Sequence, residues 1–301
     1  MLKRCSAAAG GIDGARRRWA AALAAAAVCP LAAAQAAPPR RIVSVGGAIT
    51  ETLFAIGAQA EVVGVDTTSL YPDAARALPS VGYARALSAE GVLSLSPTLL
   101  VATEDAGPPA VLRQLEAARV PVQRLDSDHR FEGMLTRTAA LGRLAAREPA
   151  AAALVQRLRA EWGAAQQRVA ALRANPPPRV LFLLAHAVGQ VRVAGRDTSA
   201  EAMIVYAGAG NAMSAAFDGY KPLTPEAAIA AAPDVLLTTD QGLQAVGGIG
   251  GILAMPGLAQ TPAGRAKRVV SLEALLLLGF GPRLPQAVQS LAEALHGARR
   301  S

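Results

Sequence analysis

The sequence predicts an α/β protein of two doubly wound α/β lobes joined by one long connecting helix. Three observations carry this. Short apolar runs alternate with helical stretches in both halves, the pattern of parallel sheets with crossover helices. Between the halves, residues 149–175 keep helical spacing with no strand signal. A segment of the first half is echoed in the second.

The elements follow in chain order. Lys3, Arg4, Arg16, Arg17 and Arg18 precede an apolar run from Trp19 to Ala34. Ala34-Gln35-Ala36 then fits the small-x-small cleavage rule, so residues 1–36 read as a signal peptide and Ala37 as the first residue of an exported chain. A membrane span is the alternative, but it needs about 20 apolar residues, and Pro30 interrupts this shorter run. Val28-Cys29 is a poor lipoprotein site because valine is not small. Cleavage removes both cysteines, leaving neither disulfide nor thiol ligand. It also removes five basic residues and one acid, lowering the net charge from +8 to +4. No run of basic residues with interleaved aromatics follows Arg41, so no nucleic-acid partner is expected.

The N-terminal lobe is expected over 37–148. "RIVSVGG", "EVVGVD", "TLLVAT" and "VPVQRL" read as buried strands, and "TETLFAIGA", "PAVLRQLEAA" and "FEGMLTRTAALGRLA" as helices. Over 149–175, Leu154, Leu158, Trp162, Ala165, Val169 and Leu172 recur at spacings of three and four, until "NPPP" stops the helix. The C-terminal lobe, 176–301, resumes the alternation. Its strands are "RVLFLLAH", "DVLLTT" and "RVVSL"; its helices are "SAEAMIVYAG", "PEAAIAAA" and "PQAVQSLAEALH". "LSAEGVLSLSPTLLVAT" from Leu87 aligns without gaps on "LTPEAAIAAAPDVLLTT" from Leu223. Each has a Ser or Thr N-cap, a glutamate two residues later, an apolar helix, a proline break and a buried strand.

Several chemistries lack their motifs. The first turn, "GGAITE", is not the G-x-G-x-x-G of a dinucleotide site, and neither "GGIGGIL" nor "AGAGNAM" completes one. No phosphate-binding G-x-x-x-x-G-K-[ST] loop and no G-x-S-x-G nucleophile elbow occur. Three scattered histidines make a poor zinc pocket. His296 reads as a surface residue of the last helix, and His129 in "DSDHRF" as part of a solvated loop. His186 follows a buried-type strand at its carboxyl end, where open α/β sheets bind ligands, so it reads equally as a ligand or a structural hydrogen-bonder.

Two features remain. Glu90 and Glu226 hold matching first-turn positions in the echoed segments. Helix-dipole stabilisation explains both, and so does a pair of carboxylates offered to a partner with two basic patches. Tyr83, in "VGYARALSAEG", has small neighbours and Arg85 within reach. A phenolate suits ferric iron and is among the axial ligands of haem. A guanidinium lowers a phenol's pKa and can clamp a carboxylate. Residue chemistry alone favours an ordinary half-buried tyrosine.

From Arg41 to Leu295 the chain resembles the haem-binding periplasmic proteins of bacterial haem ABC importers. The matching stretches are "RIVSVGGAITETLFAIGA", "LPSVGYARALSAEGVLSLSPTLL", "AGRDTSAEAMIVYAGAGNAM", "GYKPLTPEAAIAAAPDVLL" and "LPQAVQSL" after "LLLLGFG". "GGIGGIL" departs from the pattern by its extra glycines. The resemblance implies a ligand cleft between the lobes, Tyr83 as the axial ligand of haem iron, and Arg85 as support for that ligand or a propionate. It implies His186 as ligand to a second, stacked haem where one is bound, and Glu90 and Glu226 as docking points for permease arginines. The expected protein is a periplasmic monomer that delivers haem to an inner-membrane ABC permease, downstream of an outer-membrane haem receptor system, and catalyses nothing. A ferric-siderophore or corrinoid carrier is the nearest alternative; an exported α/β enzyme using the same cleft is another.

Overall fold

A computed structural model describes residues 40–185 and 191–297. The expected signal peptide, both cysteines and His186 lie outside the described residues.

The first sheet has β1 (Ile42–Val45), β2 (Val62–Val65), β3 (Leu99–Thr103) and β4 (Val122–Leu125), in the order β2-β1-β3-β4. All of its pairings are parallel. Helices α1 (Gly47–Ala55), α2 (Asp73–Arg76), α3 (Ala89–Leu93), α4 (Pro109–Ala117) and α5 (Phe131–Leu144) connect and cover it. The alternation of side chains along a strand explains the near-continuous apolar runs. Ile42 and Val101 pack on one face of the sheet, whereas Val43, Val45, Leu100 and Ala102 pack on the other.

The long helix α6 runs Glu148–Leu172, 25 residues, or about 37 Å at 1.5 Å per residue. It is no free-standing rod. Leu154, Leu158, Ala165 and Val169 are buried along one stripe, between α5 and the C-terminal helix α13 (Leu284–His296). One apolar core therefore continues from Ile49 and Leu53 through α6 to Phe182, Leu291 and Leu295.

Beyond α6 come β5 (Arg179–Ala185), β6 (Val191–Ala194), α7 (Ser199–Tyr206), β7 (Gly210–Asn211), β8 (Tyr220–Pro222), α8 (Pro225–Ala231), β9 (Val235–Thr239), α9 (Asp240–Ala245), α10 (Gly248–Leu253), α11 (Pro262–Arg265), β10 (Val269–Leu272) and α12 (Ala274–Leu278). The main path of this sheet is β10-β9-β5-β6-β8, with β7 paired to β5. It is mixed rather than all parallel, because β5–β6 and β6–β8 are antiparallel. Only positions 186–190 separate β5 from β6, too few for a crossover, which takes a dozen or more residues.

The internal echo holds in three dimensions. Ser88 caps α3 by accepting from Gly91 N at 3.2 Å, and Thr224 caps α8 by accepting from Ala227 N at 3.2 Å. Ser96 (φ 46°) and Ala232 (φ 42°) are both left-handed just before a proline. β3 and β9 then begin at corresponding residues, Leu99 and Val235.

Candidate functional site at the carboxyl ends of the strands

Tyr83 sits on the long loop between α2 and α3. This loop is tied down at both ends. Thr67 N donates to Gly82 O at 3.0 Å on the β2 side. On the β3 side Gly107 N donates to Ala84 O, and Leu87 N to Gly107 O, each at 2.9 Å. Val81, Ala84 and Leu87 are buried against Val43, Val45 and Leu100 and anchor the loop by its apolar side. Gly82 takes φ +94°, a conformation that side-chain-bearing residues rarely adopt. The result is a phenol turned outward: Tyr83 is 46% exposed.

Arg85 lies beside it, and the structure supplies a partner that the sequence did not suggest. Its Nε donates to Asp105 Oδ2 at 2.8 Å and its Nη2 lies 2.6 Å from the same oxygen. Asp105 belongs to the loop after β3, distant in sequence and visible only once the two loops meet. The hydrogen bond to Asp105 outweighs the effect of burial and, with smaller contributions from that carboxylate's charge and from Tyr83, holds the guanidinium above its ordinary pKa. Burial pushes Asp105 up, but hydrogen bonds from Thr103 and Arg85, with the Arg85 charge, outweigh it and hold the carboxyl below the usual range. Arg85 uses Nε and Nη2 on Asp105, and Nη1 has no protein partner among the described residues. The pair thus presents an exposed phenol next to a fixed guanidinium with one edge free, suited to a hard cation and an attached carboxylate.

A second group joins the lobes. Asp66, at the end of β2, accepts from Gly46 N (2.9 Å), Ser69 Oγ (2.8 Å), Thr68 N (3.1 Å) and Thr68 Oγ1 (2.7 Å). The segment so fixed leads to Tyr71, 43% exposed, whose ring lies 3.7 Å from the guanidinium carbon of Arg283. Arg283, at the start of α13, grips Glu51 of α1 through Nε and Nη2, each at 3.1 Å, and through its backbone N at 3.0 Å. Glu51 is 4% exposed. Burial outweighs Arg283 and leaves its carboxyl above the ordinary range. The sequence clue was a lone acid in the apolar run "AITETLFAI".

Two histidine readings are corrected. His129 is not in a solvated loop: its ring packs 5.3 Å from Phe280 of the other lobe. Burial, then the charge of Arg137, pushes its pKa down. His296 is 7% exposed rather than a surface residue. Its Nδ1 accepts from Ala174 N at 3.4 Å, which leaves the proton on Nε2 for Ala207 O at 2.9 Å. Long-range packing buries His296 and half-buries His129. The stretch "GGIGGIL" forms α10 in part, and at Gly251 a Cβ would lie 1.6 Å from Val246 O. Among the described residues no group of three His, Cys, Asp or Glu could hold a metal ion.

A cavity of about 660 Å³ opens elsewhere, between Asp126–Ala140, Trp162 and Tyr206, and excludes Tyr83 and Arg85. Phe131 and Trp162 stack there at 4.5 Å, and Phe131 N donates to Tyr206 OH at 3.1 Å. This is a junction of the two lobes with α6, with its charged groups largely paired (Asp128 with Arg130, Glu132 with Arg159).

Glu90 and Glu226 are exposed on α3 and α8, and neither has an ion-pair or side-chain hydrogen-bond partner among the described residues.

A family model for periplasmic binding proteins matches residues 42–275. The chain belongs to the periplasmic binding proteins. Among solved structures it is similar to the periplasmic haem-binding protein BhuT in complex with two haems, at 52% identity and a TM-score of 0.82 over 86% of this chain and 98% of that one. Periplasmic haem-binding protein RhuT from Roseiflexus sp. RS-1, in apo form, has 43% identity and a TM-score of 0.83 over 86% and 98%. An uncharacterised ABC transporter substrate-binding lipoprotein of Bacillus subtilis (strain 168), YvrC, is 27% identical over 85% of this chain and 80% of its own. The vitamin B12-binding protein of Yersinia pestis is 32% identical over 89 residues, only 30% of this chain and 32% of that protein.

Proposed function

We propose that this periplasmic binding protein captures haem in the cleft between its lobes and delivers it to an inner-membrane ABC importer. The observation that carries the reading is Tyr83, an exposed phenol on a doubly pinned loop beside a fixed arginine. Tyr83 phenolate ligates the ferric iron, and the free edge of Arg85 receives a propionate. His186, the next residue in sequence after β5, ligates a second haem where one binds. Glu90 and Glu226 dock on permease arginines. The protein acts in the periplasm after loss of residues 1–36, as a monomer without catalytic activity, and takes haem supplied through an outer-membrane receptor system. Likeness to haem-binding proteins at up to 52% identity over nearly their whole length supports haem over a corrinoid, whose binding protein matches less than a third of the chain. Titration of the purified chain with hemin, cyanocobalamin and a ferric siderophore tests this choice. A Soret band that saturates with hemin and no response to the others is expected; tighter binding of either competitor overturns the reading.

A further inference from the structure

Lone exposed aliphatic side chains are common on protein surfaces and carry no message. Leu93 and Ile229 differ from that background because the internal repeat places them at equivalent positions. Leu93, 36% exposed, follows Glu90 by three residues on α3; Ile229, 43% exposed, follows Glu226 by three residues on α8. Residues three apart on a helix are surface neighbours. Each lobe therefore offers a carboxylate with an aliphatic side chain one turn beyond it. Neither aliphatic is required by the core, since Val92 on α3 and Ala228 and Ala231 on α8 face inward instead. The matched caps and left-handed residues bounding the two segments present both pairs in the same local frame.

We propose that Glu90 with Leu93, and Glu226 with Ile229, form two equivalent two-part docking patches for the importer's permease, each fitting a basic side chain next to an apolar socket. This rests on the docking role assigned to the glutamates above. The chemistry chooses among occupants. A second copy would bring its own unpaired acids to the contact, and an anionic lipid surface would repel them, whereas a basic protein surface pairs with them. Two matching patches on one chain fit a partner that presents the same surface twice, as a two-fold dimer does. The acids act at a distance and set the encounter rate; the aliphatic groups gain only on contact and slow dissociation.

The test measures binding of the haem-loaded protein to its permease complex in proteoliposomes, at low and high salt. Leu93→Ser and Ile229→Ser, combined, are expected to weaken binding about tenfold, since each aliphatic has roughly two-fifths of its burial still to gain. The salt dependence should match wild type, and melting and hemin titration should be unchanged. Glu90→Gln with Glu226→Gln should weaken binding and flatten the salt dependence. If the glutamate pair weakens binding while the aliphatic pair binds within about twofold of wild type, the apolar half is wrong and the docking role stands. If both double variants bind as wild type does, the docking role itself falls, and this inference with it.

Discussion

Replacing Arg283 with Met keeps an apolar stem but leaves Glu51 without its cation. Glu51 is 4% exposed and receives three hydrogen bonds from Arg283. Stranding such a carboxylate costs ~3–5 kcal/mol, unless the group takes up a proton instead. From the ordinary value of 4.5, protonation at pH 7 costs ~3.4 kcal/mol, which caps the charge penalty. At about pH 5 the same cap is only ~0.7 kcal/mol. The direction follows from linkage. The folded-state pKa of Glu51 is already raised, so its contribution to stability is fully present below the unfolded value and is lost as pH rises through the folded one. Removing Arg283 raises that pKa further. Thermal unfolding of Arg283→Met should therefore show Tm lowered by roughly 6–12 °C near pH 7, with the gap to wild type narrowing as pH approaches 5. By contrast, Arg85→Met breaks a pair whose side chains are 64% and 42% exposed; it should cost no more than ~1 kcal/mol while weakening hemin binding. A Tm for Arg283→Met within about 2 °C of wild type, or a gap independent of pH, would refute the reasoning.

Two further outcomes are expected. His129 is depressed by burial and by Arg137, so the unfolded chain takes up its proton first, and stability falls as pH drops through about 6.5 towards the folded value. His129→Gln should remove that part of the slope in a Tm-against-pH series; an unchanged slope contradicts the assignment. His186→Ala should leave the first equivalent of haem bound and abolish only a second, read by hemin titration; loss of the first equivalent with Tyr83 intact reverses the ranking of ligands.

Elements set by local pattern were legible in the sequence, and contacts made by tertiary closure were not. The parallel strands read as apolar runs because both sheet faces are covered, as Val43 and Ile42 show by packing in different cores. The long helix was marked by its stripe and by "NPPP" at its end. β6 and β8 escaped notice: they are only four and three residues long, and β8, at the edge of the sheet, is largely exposed. In the site, Tyr83 and Arg85 stood out as a phenol and a guanidinium among small residues. Asp105, Arg283 and Tyr71 did not, because each gains its meaning from a partner distant in sequence. His129 and His296 were misplaced for the same reason, local polarity having no record of Phe280 or Ala207.

Ligation of haem iron by Tyr83 is the bond on which the proposed function turns. Tyr83→Phe removes one oxygen and keeps the ring, the Gly82 turn and the Val81, Ala84 and Leu87 anchors. Absorption spectra of wild type and variant during hemin titration test it most directly. Wild type should show a phenolate-to-iron charge-transfer band, and the variant should lose it, with affinity falling by about tenfold or more (~1.4 kcal/mol). An identical spectrum and affinity in Tyr83→Phe would contradict the account.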